Sequence, residues 1–312
     1  GKKRERIRRT ADPIAYRPDP EVARLIHQLR LQHKPRLQSL IAGLTSLPEN
    51  LELNYVVELR RSAQRAAAAL GYGFTLIRIE ADDKRCTSLQ RVLRARGVDG
   101  VLLLPMNEAV SLVDFLDWSH FSVVAATYGV LLPDFHRIVP DQFGNTLLIC
   151  KQLARSGRRR IGLVIDARTD HVVDHRFSAA VIWQNAMGGL EHVAPLIYTG
   201  DYRAGLEKWF ARQQPDAIIT GTEATARGIA QQLGFRMNGP VDFAVTEHPG
   251  STRLGGIDQH PSEIGDAAIA QLHAKMQGGE KGAPAVPSVM MIKGHWVGST
   301  WPRPGRRSKP AR

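Results

Sequence analysis

The sequence predicts an α/β protein made of two successive, doubly wound parallel sheets. Short, near-continuous apolar segments alternate with helical patterns along the chain. The alternation runs through two consecutive series, each long enough for one sheet. Strands that are apolar on both faces belong to parallel sheets covered by helices on both sides. The length of 312 residues suits two domains, at roughly 100–200 residues per domain. An apolar fraction of 43% supports a sizeable core, and 23% charged residues excludes a chain disordered throughout.

The first series opens with SLIAGLT (39–45), a buried-strand pattern. A helix over 55–70 follows and stops at Gly71, a residue suited to the left-handed cap. FTLIRI (74–79) alternates like a strand. Next come a helix at 87–96, the strand VDGVLLLP (98–105), a helix near 108–118, the strand SVVAATY (122–128) and a helix over 145–155. The second series runs RIGLVID (160–166), a helix at 175–187, PLIYTG (195–200) and a helix at 203–213. It continues with DAIITG (216–221), a helix at 223–233 and VDFAVTE (241–247). A helix over 262–276 and the strand-rich PSVMMIKGHWV (287–297) close the fold. Two such sheets leave a cleft at the carboxyl ends of their strands, where open α/β folds bind ligands.

The net charge is +12, and its placement is uneven. Residues 1–40 hold eleven Lys/Arg against four Asp/Glu, and residues 302–312 hold five Lys/Arg and no acid. The body between them is neutral. A basic front arm on a neutral body points to a polyanion, most simply nucleic acid. The segment 302–312 is broken by Pro and Gly and reads as a basic, disordered, solubilising tail. Cys86 and Cys150 cannot make a disulfide framework and fit a reducing, cytoplasmic setting. No apolar run approaches the roughly 18 residues of a membrane span. The N-terminus carries charge where a signal peptide needs an apolar region, so neither export nor membrane attachment is expected.

The motifs that would mark an enzyme are missing. There is no GxGxxG after a strand, no GxxxxGK[ST] and no GxSxG. No catalytic residue and no cofactor are therefore expected. The most site-like polar string is Asp170-His171-x-x-Asp174-His175. Its histidines have metal-ligand spacing, but no second His/Cys pair matches it, and a zinc site needs three or four converging ligands. The string reads instead as a loop leading into a helix N-terminus, where Asp is favoured. No metal site is expected.

The front arm carries a family resemblance. Residues 3–30 read KRERIRRTADPIAYRPDPEVARLIHQLR. Tyr16-Arg17-Pro18-Asp19-Pro20, followed by Ala23 and Leu25, resembles the YxPN-x-x-A-x-x-L signature of the lactose-repressor (LacI/GalR) family, which joins a DNA-binding headpiece to a core. The stretch from Arg4 to Ala15 resembles the last headpiece helix. Eight further motifs then fall in family order: GYGFTLIRI, GVDGVLLLP, VPDQFGNT, SGRRRIGLVI, HRFSAA, PDAIITGTEATARG, GGIDQHPSEIG and WVGSTWP. The resemblance covers essentially all of residues 3–302. It implies a core of two Rossmann-like doubly wound subdomains in the type I periplasmic-binding-protein arrangement. It also implies a ligand-responsive, DNA-binding transcription regulator. Family crossings imply a headpiece remnant and hinge over 1–36, an N-subdomain of 37–155 plus 260–285, and a C-subdomain of 156–259 plus 286–301.

Two departures stand out. The recognition helix that reads base edges would lie upstream of residue 3. Pro13 sits where the last headpiece helix should continue, and proline costs roughly 3 kcal/mol inside a helix. In the hinge, Asp19 can cap a helix over 21–30, with Pro20 suited to its first turn. The resemblance implies DNA contact through Tyr16, Arg17, Asp19, Ala23, Arg24 and Leu25, with Leu25 wedged into the minor groove. Without a recognition helix, the arm is expected to hold DNA by phosphate attraction alone, weakly and with strong salt dependence.

Carried over position by position, the resemblance also implies an effector site. Arg176 in HRFSAA matches the family's ligand-binding arginine, whose guanidinium fork suits vicinal hydroxyls or a carboxylate. Ala179 and Ala180 replace the usual Gly-aromatic pair there. Asp141 matches the Asp of D-N-x-x-G, with Phe143 offering an aromatic face. Thr222 and Glu223 stand for the usual Asn-Asp, and His248 for a ligand-binding Asp. Gln259 matches a polar residue at a crossover between subdomains. Thr45, Ser46, Asn50 and Tyr55 belong to the first β–α loop, and Tyr202 stands where an aromatic often stacks on a sugar ring. The implied partners are a DNA operator for the intact protein, a small sugar-like effector and a second copy of the chain. Val56, Val57, Leu59 and the alanine-rich 63–69 offer a dimer face, and the absence of leucine heptads after Trp301 predicts no tetramer. The competing reading is an exported solute-binding protein with the same core; it would need a signal peptide and has no use for the YRPDP hinge. An enzyme on this scaffold is a third reading, with no nucleophile or cofactor motif behind it.

Overall fold

The computed structural model describes residues 39–51, 53–80, 87–237 and 239–299. The six hinge residues assigned to DNA contact, the tail 302–312 and Cys86 lie outside them. Within them the predicted alternation folds into two six-stranded sheets.

The first sheet contains β1 (Ser39–Thr45), β2 (Tyr72–Arg78), β3 (Val98–Leu103), β5 (Ser122–Ala125), β7 (Arg137–Pro140) and β13 (Val289–Ile292), in the order β13-β7-β5-β3-β1-β2. All its pairings are parallel. Side chains of β3 point alternately to the two faces, as strand geometry requires. Val101 and Leu103 join a core with Phe115, Trp118, Phe121 and Phe135. Leu102 and Leu104 join the opposite core beneath α1 (Asn54–Ala69) and α8 (Pro261–Gly278).

The second sheet contains β8 (Ile161–Asp166), β9 (Leu196–Tyr198), β10 (Ala217–Thr220), β11 (Asp242–Val245), β12 (Gly255–Asp258) and β14 (His295–Val297), in the order β14-β12-β11-β10-β8-β9. Only β14 runs antiparallel, against β12. One face is covered by α3 (Gln142–Arg155) and α5 (Arg176–Met187), through Ile149, Cys150, Leu153, Phe177 and Val181. The other is covered by α6 (Arg203–Gln213) and α7 (Glu223–Gln232), through Leu206, Trp209, Ala226 and Ile229. A helix α2 (Thr87–Ala95) and a short helix α4 (Ala167–Val172) complete the set described.

The helix expected near 108–118 does not form. The chain instead makes β4 (Val110–Ser111), paired with β6 (Val130–Leu132), and a 3-10 turn over Trp118–His120. Leu112, Phe115 and Leu116 mimic helical spacing, but they are buried by an irregular cover under the sheet. Trp118 Nε1 locks that cover by donating to the Leu112 carbonyl at 2.8 Å.

The expected dimer face is partly turned inward, with Ala68 and Ala69 left exposed. Val56, Leu59, Ala63 and Ala67 are buried in the chain's own core. The small residues let α1 and α8 approach closely. A Cβ added at Gly265 would lie 2.5 Å from the Leu59 carbonyl oxygen. Ser62 Oγ donates to the Ser262 carbonyl at 2.7 Å across the same contact.

The two sheets exchange chain three times: at Asp141, at Gln259–His260 and at 293–294. Sheet membership moves two of the boundaries drawn from sequence. Helix α3 packs on the second sheet, so the first crossing precedes residue 142 rather than 156. The run 287–297 is not one strand; β13 completes the first sheet and β14 the second. The crossings are stitched together. Asp141 N–H donates to the Ile292 carbonyl at 2.9 Å. Gln142 Nε2 donates to Gln259 Oε1 at 3.0 Å, and Gly294 N–H to Asn145 Oδ1 at 2.9 Å. A Cβ at Gly294 would fall 2.4 Å from Ile257 Cγ2 and 2.6 Å from the Asp258 carbonyl oxygen, so the third crossing needs glycine.

Candidate functional site

The cleft between the sheets is built from residues at the carboxyl ends of strands and the first turns of helices, as open α/β architecture dictates. Arg176 is the first residue of α5, and its position is set by the polar string before it. Asp170 is fully buried on α4. Its carboxylate accepts from Ser178 N–H at 3.1 Å and Ser178 Oγ at 2.6 Å, and lies 3.2 Å from His175 Nδ1. This ties α4 to α5 across a tight turn in which Asp174 and His175 both take left-handed backbone (φ 56 and 58). Of the string expected as a loop and helix start, Asp170 and His171 instead lie in helix α4, and only Asp174 and His175 form the turn that leads into α5.

The Arg176 guanidinium lies over the Tyr128 ring at 4.5 Å from the centroid and pairs with Asp174 at 3.2 Å. A cation over an aromatic face is held by the ring quadrupole. Tyr128 belongs to the first sheet's side, so this contact spans the cleft, and its hydroxyl donates to the Pro140 carbonyl at 3.2 Å. Burial raises the Tyr128 phenol, with the Arg176 charge opposing and Asp141 adding to the shift. A second contact spans the cleft nearby. Tyr55 N–H, at the start of α1, donates to Glu247 Oε1 at 2.9 Å, just beyond β11. Burial pushes the Tyr55 phenol well up, with Glu247 and Tyr128 adding to it. Burial lifts the Glu247 carboxyl to about 7, against the opposing hydrogen bond from Tyr55.

Tyr55, Glu247, His248 and Gln259 also border a side cavity of about 510 Å³, with Arg61 and His260 on its wall. His248 Nδ1 accepts from Gly250 N–H at 3.1 Å. Among the described residues, the buried side-chain atoms without a hydrogen-bond partner include Arg176 Nε, His248 Nε2 and Thr220 Oγ1. Buried polar atoms normally have partners, so unsatisfied ones lining a cleft mark places where a ligand can bind.

The other residues carried over from the family are placed differently. Asp141 caps α3, accepting from Gly144 N–H at 2.9 Å, and Phe143 is half-buried on the same turn. Gln259 is buried with both ends of its amide engaged, by Gln142 and by the Thr246 carbonyl at 2.7 Å. Thr222 caps α7 by accepting from Thr225 N–H at 3.3 Å. Glu223 is held below the usual carboxylate range by a hydrogen bond from Thr252 and by Arg227, with His248 adding a smaller pull. Thr45 is buried, its hydroxyl donating to the Pro105 carbonyl at 2.6 Å, and Ser46 Oγ accepts from Asn107 N–H at 3.0 Å. Asn50 is exposed in a 3-10 turn over Glu49–Leu51. Tyr202 packs into the α6–α7 layer, edge-on to Tyr198 at 5.5 Å.

Arg176 and Tyr55 therefore share a polar cluster with Tyr128 and Glu247, two residues the sequence reading did not single out. Both were within reach of a sequence rule. Each is the last polar group of an apolar strand run, SVVAATY and VDFAVTE, and so falls at a carboxyl end.

Residues 150–295 match the family described as periplasmic binding protein-like domain. No curated protein matches the chain by sequence. Solved structures match most of its length. A regulatory protein of the LacI family from Chloroflexus aggregans superposes with a TM-score of 0.64 at 18% identity, over 82% of this chain and 96% of that one. The transcriptional regulator CelR in its cellobiose complex gives 0.64 at 17% identity, over 90% of each chain. The Lac repressor bound to ONPG in its repressed state gives 0.63 at 15% identity, over 95% of this chain and 89% of that one. The likeness shows the fold: two parallel-sheet subdomains in the type I periplasmic-binding-protein arrangement. Among the described residues, no helix is long and apolar enough to cross a membrane.

Proposed function

We propose that this chain is the core of a ligand-responsive, DNA-binding transcription regulator of the lactose-repressor type, with a small sugar-like effector in its cleft. The observation that carries the reading is the cross-cleft cluster, in which Arg176 on the second sheet's side faces Tyr128 on the first. A ligand that takes over the guanidinium and the unsatisfied donors changes how the two subdomains meet, and so selects between open and closed forms. In the intact protein that change resets the spacing of DNA-binding segments across a dimer. The regulators with this fold, one of them in complex with cellobiose, support a binding role over a catalytic one.

The test is a thermal-shift screen of mono- and disaccharides followed by calorimetry on each hit. Arg176→Ala should lose roughly 2–5 kcal/mol of affinity, because it removes one side of a charged hydrogen-bonded contact. Unchanged affinity would remove Arg176 from the site, and a panel with no hit would overturn the sugar reading. Sedimentation velocity at micromolar concentration should show a dimer; a monomer would contradict that part of the proposal.

A further inference from the structure

Two of the three crossings bring together a second set of polar groups, on the wall of the side cavity that Tyr55 and Glu247 also border. Asp258 is the last residue of β12 and His295 the first of β14, and the antiparallel register places them directly opposite each other. Residues opposite each other in such a ladder project to the same face. His260 follows in left-handed backbone, with its N–H donating to Asp258 Oδ1 at 2.9 Å. That turn brings His260 Nε2 to 3.1 Å from His295 Nδ1, with the rings 4.8 Å apart and tilted by 31°. One ligand atom from each of Asp258, His260 and His295 lies within 4.8 Å of the others. On the far side of the His260 ring, Nδ1 is 3.7 Å from Glu263 Oε2.

A tetrahedral zinc ion with Zn–N bonds of about 2.0–2.1 Å holds neighbouring ligand atoms about 3.3 Å apart. The two imidazole nitrogens already stand near that separation. A carboxylate behind a ligating histidine orients its ring and raises its basicity, and Glu263 is placed to do so. We propose that Asp258, His260 and His295 form a binding site for a borderline divalent transition metal of the zinc class. Imidazole and carboxylate donors suit such an ion. Three protein ligands leave the fourth position to water or an exogenous donor. The other histidine pair lacks this convergence. His175 meets Asp170 at Nδ1 and His171 at Nε2, on opposite sides of one ring, and Asp170 is already engaged by Ser178.

The site has a mechanical meaning. Asp258 and His295 belong to the second sheet, whereas His260 heads α8, which packs on the first. An ion held by all three cross-links the crossings on which the two subdomains turn.

The experiment uses the full, tag-free chain, stripped with chelator and titrated with zinc chloride by calorimetry and with cobalt(II) by visible absorption. One equivalent of Zn²⁺ per chain and tetrahedral cobalt bands are expected. His260→Gln and His295→Gln should each weaken binding by well over tenfold, and Glu263→Gln by about tenfold. A His171→Gln/His175→Gln double variant should bind as the parent does. His295 is exposed, so His295→Gln tests the site even if His260→Gln fails to fold. No uptake by the parent, or stoichiometric uptake that survives His295→Gln, would overturn the proposal. Sugar binding plays no part in these readouts, so the effector reading stands or falls separately.

Discussion

Glu247 is the cleft residue whose chemistry most constrains the protein's response to pH. Burial lifts its carboxyl from near 4.5 to about 7, so between those values the folded chain holds a proton that the unfolded chain releases. Stability from this group is full below about 4.5 and declines as pH rises through about 7, where the carboxylate must ionise in place. A shift of that size is of order 3 kcal/mol as a ceiling. Glu247→Gln should therefore flatten the dependence of the urea midpoint on pH between 5 and 8. It should also leave a chain relatively more stable at the upper end. A variant with the parent's slope would place the dependence elsewhere. Burial likewise pushes up the Cys150 thiol, to about 12, which makes it an inert apolar filler between α3 and the second sheet.

At the scale of elements, the third crossing is the most constrained part of the fold. Gly294→Ala would force a methyl against Ile257 and the Asp258 carbonyl. Overpacking of this kind costs roughly 1–3 kcal/mol. The variant should show a lower urea midpoint, whereas Gly278→Ala, with open space at its Cβ, should be neutral or slightly stabilising. The sequence made most of the elements legible, and for a physical reason. Buried parallel strands such as IGLVID are apolar without a break, and helix ends such as Gly71 carry their own cap signals. It misled at 108–118, where helical spacing served an irregular cover, and in part at 63–69, where Ala63 and Ala67 serve the chain's own core while Ala68 and Ala69 stay exposed. The site was less legible still. Arg176 could be placed through its motif, but its pairing with Tyr128 depends on how two sheets face each other, which no local pattern encodes. The histidines at 260 and 295 are brought together by a register between distant strands, so a search for short ligand spacings passes over them.

At the scale of the whole molecule, neither sheet is made from one continuous piece of chain. Helix α8 and β13 return to the first sheet after the second is nearly complete, and β14 then closes the second. The two subdomains should accordingly unfold together. Far-UV circular dichroism and tryptophan fluorescence should follow one coincident urea transition. Ending the chain after residue 286 removes an edge strand from both sheets, and should lower the midpoint and broaden the transition rather than spare either half. Separate, sequential transitions in the parent would show that the crossings do not couple the halves. The same arrangement has a consequence for how the molecule is made. His136 and Ser288, hydrogen-bonded at 2.7 Å beside the β7–β13 pairing, are 152 residues apart in the chain. On a ribosome adding about 5–20 residues per second, β7 therefore waits on the order of ten seconds or more for its neighbour. Until then its outer edge is open to any other strand. The nascent chain is most exposed to mispairing, and most in need of a chaperone, during the interval in which the second sheet is being built.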